Sequence, residues 1–431
     1  MQPDPAGPDD STWQEQAAPP ARLVGGNQVL LLQGGDEMFP RLCAAIAAAR
    51  AEVWLATYIF NDDAAGHSVA DALAAAARRG VSVRLVVDGF GTLSTMDALR
   101  ERLRDTGVQL EVFRPLDRWY AWLQPGQLRR LHQKLCVVDR EVAFVGGINV
   151  IDDRHDLHHG WSEQPRLDFA VELRGPLALS VQLTARAMWA RARLGHGWQQ
   201  EVKALVRSAA PMDETLRLLR RLRGKPAAGG APKEGEGADR PMLAAFVVRD
   251  NFRQRRAIER AYVEAIRQAR ERVDIAVPYF YPGRAFRRTL RQAARRGVRV
   301  RLLLQGKIDY RIAALAARAL YDELRAHGVR IFEYTPAFLH AKVAVVDDDW
   351  ATVGSSNIDP LSLLLNLEAN VVVRDADFSR ALAARFDAAV AVSQEVQGAP
   401  VKSGWRGALQ RGLVAWCANA YLRMAGITGR Y

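Results

Sequence analysis

The chain has 431 residues, 49% apolar and 25% charged, a balance that excludes disorder for the bulk; at ~100–200 residues per domain it fits two domains or two halves. Lys plus Arg number 60 and Asp plus Glu 48, so the formal charge is +12, which favours polyanionic partners such as nucleic acid, anionic lipid or phosphate-bearing substrates. Cys43, Cys136 and Cys417 lie too far apart for a zinc site or a disulfide scaffold and suit a reducing compartment. No run reaches the ~20 apolar residues of a spanning helix, and the start, MQPDPAGPDD, is unlike a signal peptide, so work at a membrane would be done from its surface.

Residues 1–22 read as a polar tail. Val53 to Ile59 is a β-branched apolar strand, Val69 to Arg79 an Ala-rich helix closed by Gly80, and Val81 to Val87 a second strand. A helix over Met96 to Arg104 and a strand over Gln109 to Phe113 follow. This βαβ rhythm predicts an α/β fold with a mainly parallel sheet. Residues 224–240, GKPAAGGAPKEGEGADR, read as a flexible linker.

After the linker the pattern repeats. Residues 76–89 read AARRGVSVRLVVDG and residues 293–306 read AARRGVRVRLLLQG, ten of fourteen identical at an offset of 217. DTGVQLEVFRP (105–115) and AHGVRIFEYTP (326–336) follow at an offset of 221. The chain is therefore expected to be two similar halves, 23–207 and 243–395, with 208–242 between them and 396–431 beyond.

Each half carries a His, a Lys two residues on and an Asp five further: His132, Lys134 and Asp139, then His340, Lys342 and Asp347, all offset by 208. The segment between is apolar, a buried strand on which His and Lys share a face. Gly146, Gly147 and Asn149 follow the first motif and Gly354, Ser355 and Asn357 the second, small residues that allow close backbone approach and polar ones that add donors. Two imidazoles can divide nucleophile and general acid between them, and two lysines and two asparagines can surround a phosphate without a metal or other cofactor. That chemistry suits phosphodiester cleavage through a phosphohistidine.

The doubled motif resembles the phospholipase D superfamily, and within it the bacterial cardiolipin synthases. The resemblance covers roughly residues 22–395 and is carried by TYIFNDDAAG (57–66), GGINVIDD (146–153), VVRDNFRQRRAIERAY (247–262), PYFYPG (278–283) and the segment 332–371 around LHAKVAVVDDDWATVGSSN. Ala56 departs from the acidic residue often found before Thr-Tyr. The resemblance implies two phospholipase D-like halves packed with pseudo-twofold symmetry and an active site at their interface. It also implies phosphatidyl transfer between two phosphatidylglycerol molecules, with His132 as nucleophile and His340 as acid/base, or the reverse. Asp168 is then expected to orient His340 and Glu368 to orient His132, with Asp139 and Asp347 supporting the motif structurally. The implied location is peripheral, on the cytoplasmic face of the bacterial inner membrane. A hydrolase or basic nuclease on the same scaffold, and a lipid-binding scaffold with a fossil site, are the competing readings; nucleic acid is not the expected partner.

Further features bear on the membrane. The first half has 17 residues from Pro115 to His132 where the second has 4 from Pro336 to His340. The insertion, LDRWYAWLQPGQLRR, holds Trp119, Tyr120, Trp122, Arg129 and Arg130, and either dips into lipid headgroups or packs on its own domain. Trp405, Leu409, Leu413, Trp416, Ala420 and Met424 recur at helical spacing, an amphipathic helix for a bilayer surface or for the protein's own core. LRLLRRLRGK (216–225) is a basic helix face, and His155, His158 and His159 read as a polar loop near the site rather than a metal site.

Overall fold

The structure is a computed structural model that describes residues 22–115, 130–157, 159–207, 241–249, 256–307, 320–359 and 366–397. The insertion with Trp119 and Trp122, the basic stretch 216–225, the linker, His158 and the C-terminal segment with Trp405 and Trp416 lie outside the described residues.

In the first half the elements are β1 (Val24–Gln33), α1 (Gly34–Ala48), β2 (Glu52–Thr57), α2 (Ala64–Arg78), β3 (Ser82–Asp88), α3 (Met96–Arg102), β4 (Gln109–Phe113), β5 (Lys134–Val138), β6 (Val142–Gly146), β7 (His155–Asp156), β8 (Gly160–Trp161), β9 (Phe169–Arg174) and α4 (Leu177–Arg207). In the second half they are β10 (Met242–Arg249), α5 (Ala257–Gln268), β11 (Arg272–Ala276), α6 (Arg284–Arg295), β12 (Arg299–Gln305), β13 (Arg330–Tyr334), β14 (Val343–Val346), β15 (Trp350–Gly354), β16 (Glu368–Arg374), α7 (Ala376–Ala391) and β17 (Gln394–Glu395).

Local chemistry explains the helix ends. Asp63 caps α2 by accepting from Gly66 N–H at 3.0 Å, and Asp375 caps α7 by accepting from Phe378 N–H at 2.9 Å. Gly80 sits at φ +90°, the left-handed conformation that closes α2.

Fifteen strands form one sheet among the described residues, in the order β17-β13-β12-β11-β14-β15-β16-β10-β1-β9-β6-β5-β2-β3-β4. Apart from β17, each strand has its counterpart across the centre, where β1 and β10 pair antiparallel with Val24 opposite Ala244. The two halves are therefore one sheet related by a pseudo-twofold axis through that pair. The expectation of a mainly parallel sheet is corrected. Only β2-β3-β4 and β11-β12-β13 run parallel, and the strands that carry the motifs are antiparallel. The reason is the connections. Helices return the chain between the parallel strands, whereas β5 turns directly into β6 and β14 into β15.

Both faces of the sheet are covered. α1 and α2 pack on one face of the first half and α4 lies on the other, where Trp189 meets Trp54 edge-on. A central core joins strands of both halves with the start of α4 and the buried face of α7. It makes the interface between the halves continuous with the protein interior.

Candidate active site

The motif strands deliver the two histidines to the middle of the molecule. Leu131, just before His132, forms a bridge with Leu367 of the second half, and His132 N–H donates to Leu367 O at 3.1 Å. Leu339 pairs likewise with Leu167 of the first half, with His340 N–H donating to Leu167 O at 2.9 Å. Each bridge places a histidine beside the acid of the opposite half.

The side chains complete the exchange. His132 Nδ1 lies 3.0 Å from Glu368 Oε2 and 3.2 Å from Ser355 O. His340 Nδ1 lies 2.6 Å from Asp168 Oδ2. An ionised carboxylate can only accept, so Nδ1 carries the proton and Nε2 is left unprotonated. Lys134 Nζ donates to His132 O at 2.8 Å, and Lys342 Nζ donates to the carbonyl of His340. Each ammonium uses one of its protons this way and keeps others for a ligand.

Burial sets the protonation of the site. Desolvation pushes Lys134 down to about 8 and Lys342 down to about 7, against the pull of the buried carboxylates. Desolvation lowers His132, partly offset by Glu368. It drives His340 well below the usual histidine value, helped by Lys342, Arg166 and Lys134. Burial raises Asp168 to about 6. For Glu368 burial works in the same direction, but His132, Lys134 and the Ser355 hydroxyl outweigh it and hold its carboxyl below the usual range. An anionic phosphodiester is the complement of this cluster of depressed cations.

The halves differ just after the first motif glycine. Ser355 Oγ donates to Glu368 Oε2 at 2.5 Å and accepts from Ala369 N–H at 3.0 Å. Its counterpart is Gly147, where a Cβ would stand 2.2 Å from Asp168 Oδ1. A Cβ on Gly146 would meet Ala170 Cα at 2.4 Å, so the first motif needs both glycines for close approach to β9.

Asn149 and Asn357 are buried beside the motifs. Asn149 Oδ1 accepts from Ile59 N–H at 3.2 Å, while Asn357 Oδ1 has no hydrogen-bond partner among the described residues.

Asp139 and Asp347 stand apart from the rest. Each lies just past the far end of its strand, and a strand rises ~3.3 Å per residue, so the five positions from Lys134 to Asp139 span roughly 16 Å. Asp139 accepts from the N–H groups of Arg50, Ala51 and Glu52 at 2.7, 2.9 and 2.8 Å. Asp347 accepts from Arg270, Glu271 and Arg272 at 3.0, 2.8 and 3.0 Å. They fix the entrances of β2 and β11 and do not face the histidines.

Two residues that sequence reasoning left out also position the site. Asp88 Oδ2 accepts from Leu131 N–H at 2.9 Å, and Gln305 Oε1 accepts from Leu339 N–H at 2.9 Å. They hold the residue before each histidine and occupy matching positions in VVDG and LLQG, so the repeat itself carried the signal. Tyr58 adds a ring 5.3 Å from that of His132 and lies under Lys134 Nζ at 5.4 Å.

The remaining features singled out in the sequence fall elsewhere. Arg130 turns inward, 3.7 Å from Asp88 and 5.3 Å from the Phe90 ring. His155 stacks on Trp161 and His159 contacts Asp156 and Phe338, so these two histidines do not converge. No group of three metal-ligating side chains occurs among the described residues.

The family described as "Cardiolipin synthase, PLD-like domain" matches residues 42–159 and 262–390. Cardiolipin synthase B of Escherichia coli (strain K12) is 36% identical over 358 residues, covering 83% of this chain and 79% of that protein. Cardiolipin synthase A of Pseudomonas putida (strain GB-1) is 33% identical over 83% of this chain and 67% of its own. Phosphatidylserine synthase from Haemophilus influenzae Rd KW20 shares the fold at a TM-score of 0.62 and 14% identity, covering 92% of this chain and 95% of that one. The chain belongs to the cardiolipin synthase family of phospholipase D-like proteins.

Proposed function

We propose that the protein makes cardiolipin by passing a phosphatidyl group from one phosphatidylglycerol to another through a phosphohistidine. As a member of its family the chain is a phosphatidyltransferase. The observation that carries the reading of the site is the pair of histidines, each held at Nδ1 by a buried carboxylate of the opposite half and flanked by two buried lysines.

In this reading His132 Nε2 attacks the phosphorus of the first lipid. The bond from phosphorus to the headgroup glycerol oxygen breaks, and that oxygen takes a proton from His340 Nε2. The hydroxyl of a second phosphatidylglycerol then attacks phosphorus and gives its proton to His340 as the phosphorus–nitrogen bond breaks. Glu368, ionised and steadied by Ser355, stabilises the positive charge that builds on the attacking imidazole. Free His340 is kept neutral by burial together with Lys342, Arg166 and Lys134, and the arriving phosphate anion offsets those cations so that it can hold a proton. The lysines face the non-bridging oxygens as charge builds on them.

Phosphatidylglycerol vesicles incubated with wild-type protein, His132→Ala and His340→Ala test this. Cardiolipin and glycerol from wild type alone are expected. Phosphatidic acid in place of cardiolipin, again with glycerol, would make the protein a hydrolase, and no product would move the search to other phosphodiesters. A peripheral position on an anionic membrane surface goes with the reading, supported by the charge of +12; no helix among the described residues is long and apolar enough to cross a membrane.

A further inference from the structure

We propose that the β7–β8 hairpin is a lipid-contact element that seats the site on an anionic phospholipid surface, an inference resting on the phospholipid reading of the substrate. At the hairpin, Leu157 and Trp161 are 40% and 65% exposed. An exposed tryptophan beside an exposed leucine is unfavourable in water and suits the boundary between headgroups and acyl chains.

The hairpin is built to hold this tip out. The Trp161 ring stacks on His155 with centroids 4.9 Å apart and planes 9° from parallel. His155 Nδ1 is 2.9 Å from Asn61 Nδ2, and its carbonyl accepts from Arg166 Nη2 at 2.9 Å. The tryptophan is thus presented on a fixed support.

The hairpin also sits where a lipid would enter. The His159 ring is 5.0 Å from Phe338, two residues before His340. A second apolar tip flanks the other histidine: Leu93, 52% exposed, follows Thr92, whose hydroxyl donates to Tyr58 O at 3.1 Å, and Tyr58 touches His132. Both loops leave the end of the sheet at which β5 begins, since β3 ends at Asp88 and β6 at Gly146. Basic side chains accompany them, with Arg154 half-exposed at the hairpin and Lys307 5.6 Å from the Phe338 ring. Apolar tips accompanied by cations match acyl chains beneath anionic headgroups.

The test uses vesicles of phosphatidylglycerol and phosphatidylcholine, some with brominated acyl chains. Trp161→Phe should remove a component of the tryptophan quenching seen in wild type. Leu157→Ser with Trp161→Ser should weaken vesicle binding at least ~10-fold, the affinity that burial of even one such side chain carries. Turnover of short-chain phosphatidylglycerol below its micelle concentration should stay within about twofold of wild type. Quenching identical in Trp161→Phe, or unchanged vesicle affinity in the double variant, would overturn the proposal. If wild type turns over no monomeric phosphatidylglycerol while the double variant still loses vesicle binding, the substrate reading falls and the hairpin's role stands.

Discussion

His132 and Glu368 are separated by 236 positions in the chain, yet Nδ1 of one lies 3.0 Å from Oε2 of the other. His340 and Asp168 repeat the relationship with the halves exchanged, at 2.6 Å. Neither half can orient its own histidine, so a single complete site requires both.

Glu368→Gln and Asp168→Asn should each lower kcat by ~10²–10⁴, because an amide can offer N–H to Nδ1 and favour the wrong tautomer. The thermal midpoint should change far less than it does for a deletion of the side chain. Initial rates on phosphatidylglycerol together with thermal melts check this; near-wild-type rates in either variant would remove the orienting role.

Gly147 and Ser355 are equivalent positions with opposite tolerance. Gly147→Ala should abolish turnover, since its Cβ would fall 2.2 Å from Asp168 Oδ1 and displace the partner of His340. Ser355→Gly removes one donor to Glu368 and should cost roughly ten- to a hundredfold in kcat, in line with ~1.5–3 kcal/mol for a hydrogen bond to a charged group. The same rate assay ranks the two, and a reversed order would refute the account of the asymmetry.

The depressed lysines make anion binding a proton-uptake event. Lys342 sits at about 7 and Lys134 at about 8, so at pH 8 a bound anion should raise both and draw in about one proton. Calorimetric titration with sulfate, which does not itself titrate there, in buffers of different ionisation enthalpy measures the uptake; none at pH 8 would contradict it. Stability carries the matching sign. Unfolded lysines titrate near ~10.4, so between pH 7 and 10 the unfolded chain binds more protons than the folded one, and this contribution to stability rises with pH. Lys342→Met should therefore raise the melting temperature at pH 7 while abolishing activity.

Asp139→Ala and Asp347→Ala should act on stability. Each removes the acceptor for three backbone N–H groups, and losing such a charged network costs ~2–4 kcal/mol. Denaturant unfolding should show a lower midpoint, whereas the rate per folded molecule should remain within about tenfold. A well-folded but inactive Asp347→Ala protein would place that carboxylate in the chemistry instead.

The sequence by itself determined the doubled unit, the two motifs 208 positions apart and the burial of the strands between their ends, because these depend on local periodicity and on a repeat that is legible in one dimension. The acids that orient the histidines were reached through family resemblance. Tertiary structure alone decided that the sheet is mixed, that β1 and β10 join the halves, and that Leu131 bridges to Leu367 and Leu339 to Leu167. It also showed that Asp88 and Gln305 hold the residues before the histidines, and that a serine hydroxyl serves one carboxylate where a glycine makes room for the other. These are contacts of register between distant segments. A pattern of apolar spacing states which face of a strand is buried, but which residue stands opposite is fixed only when the two halves pack.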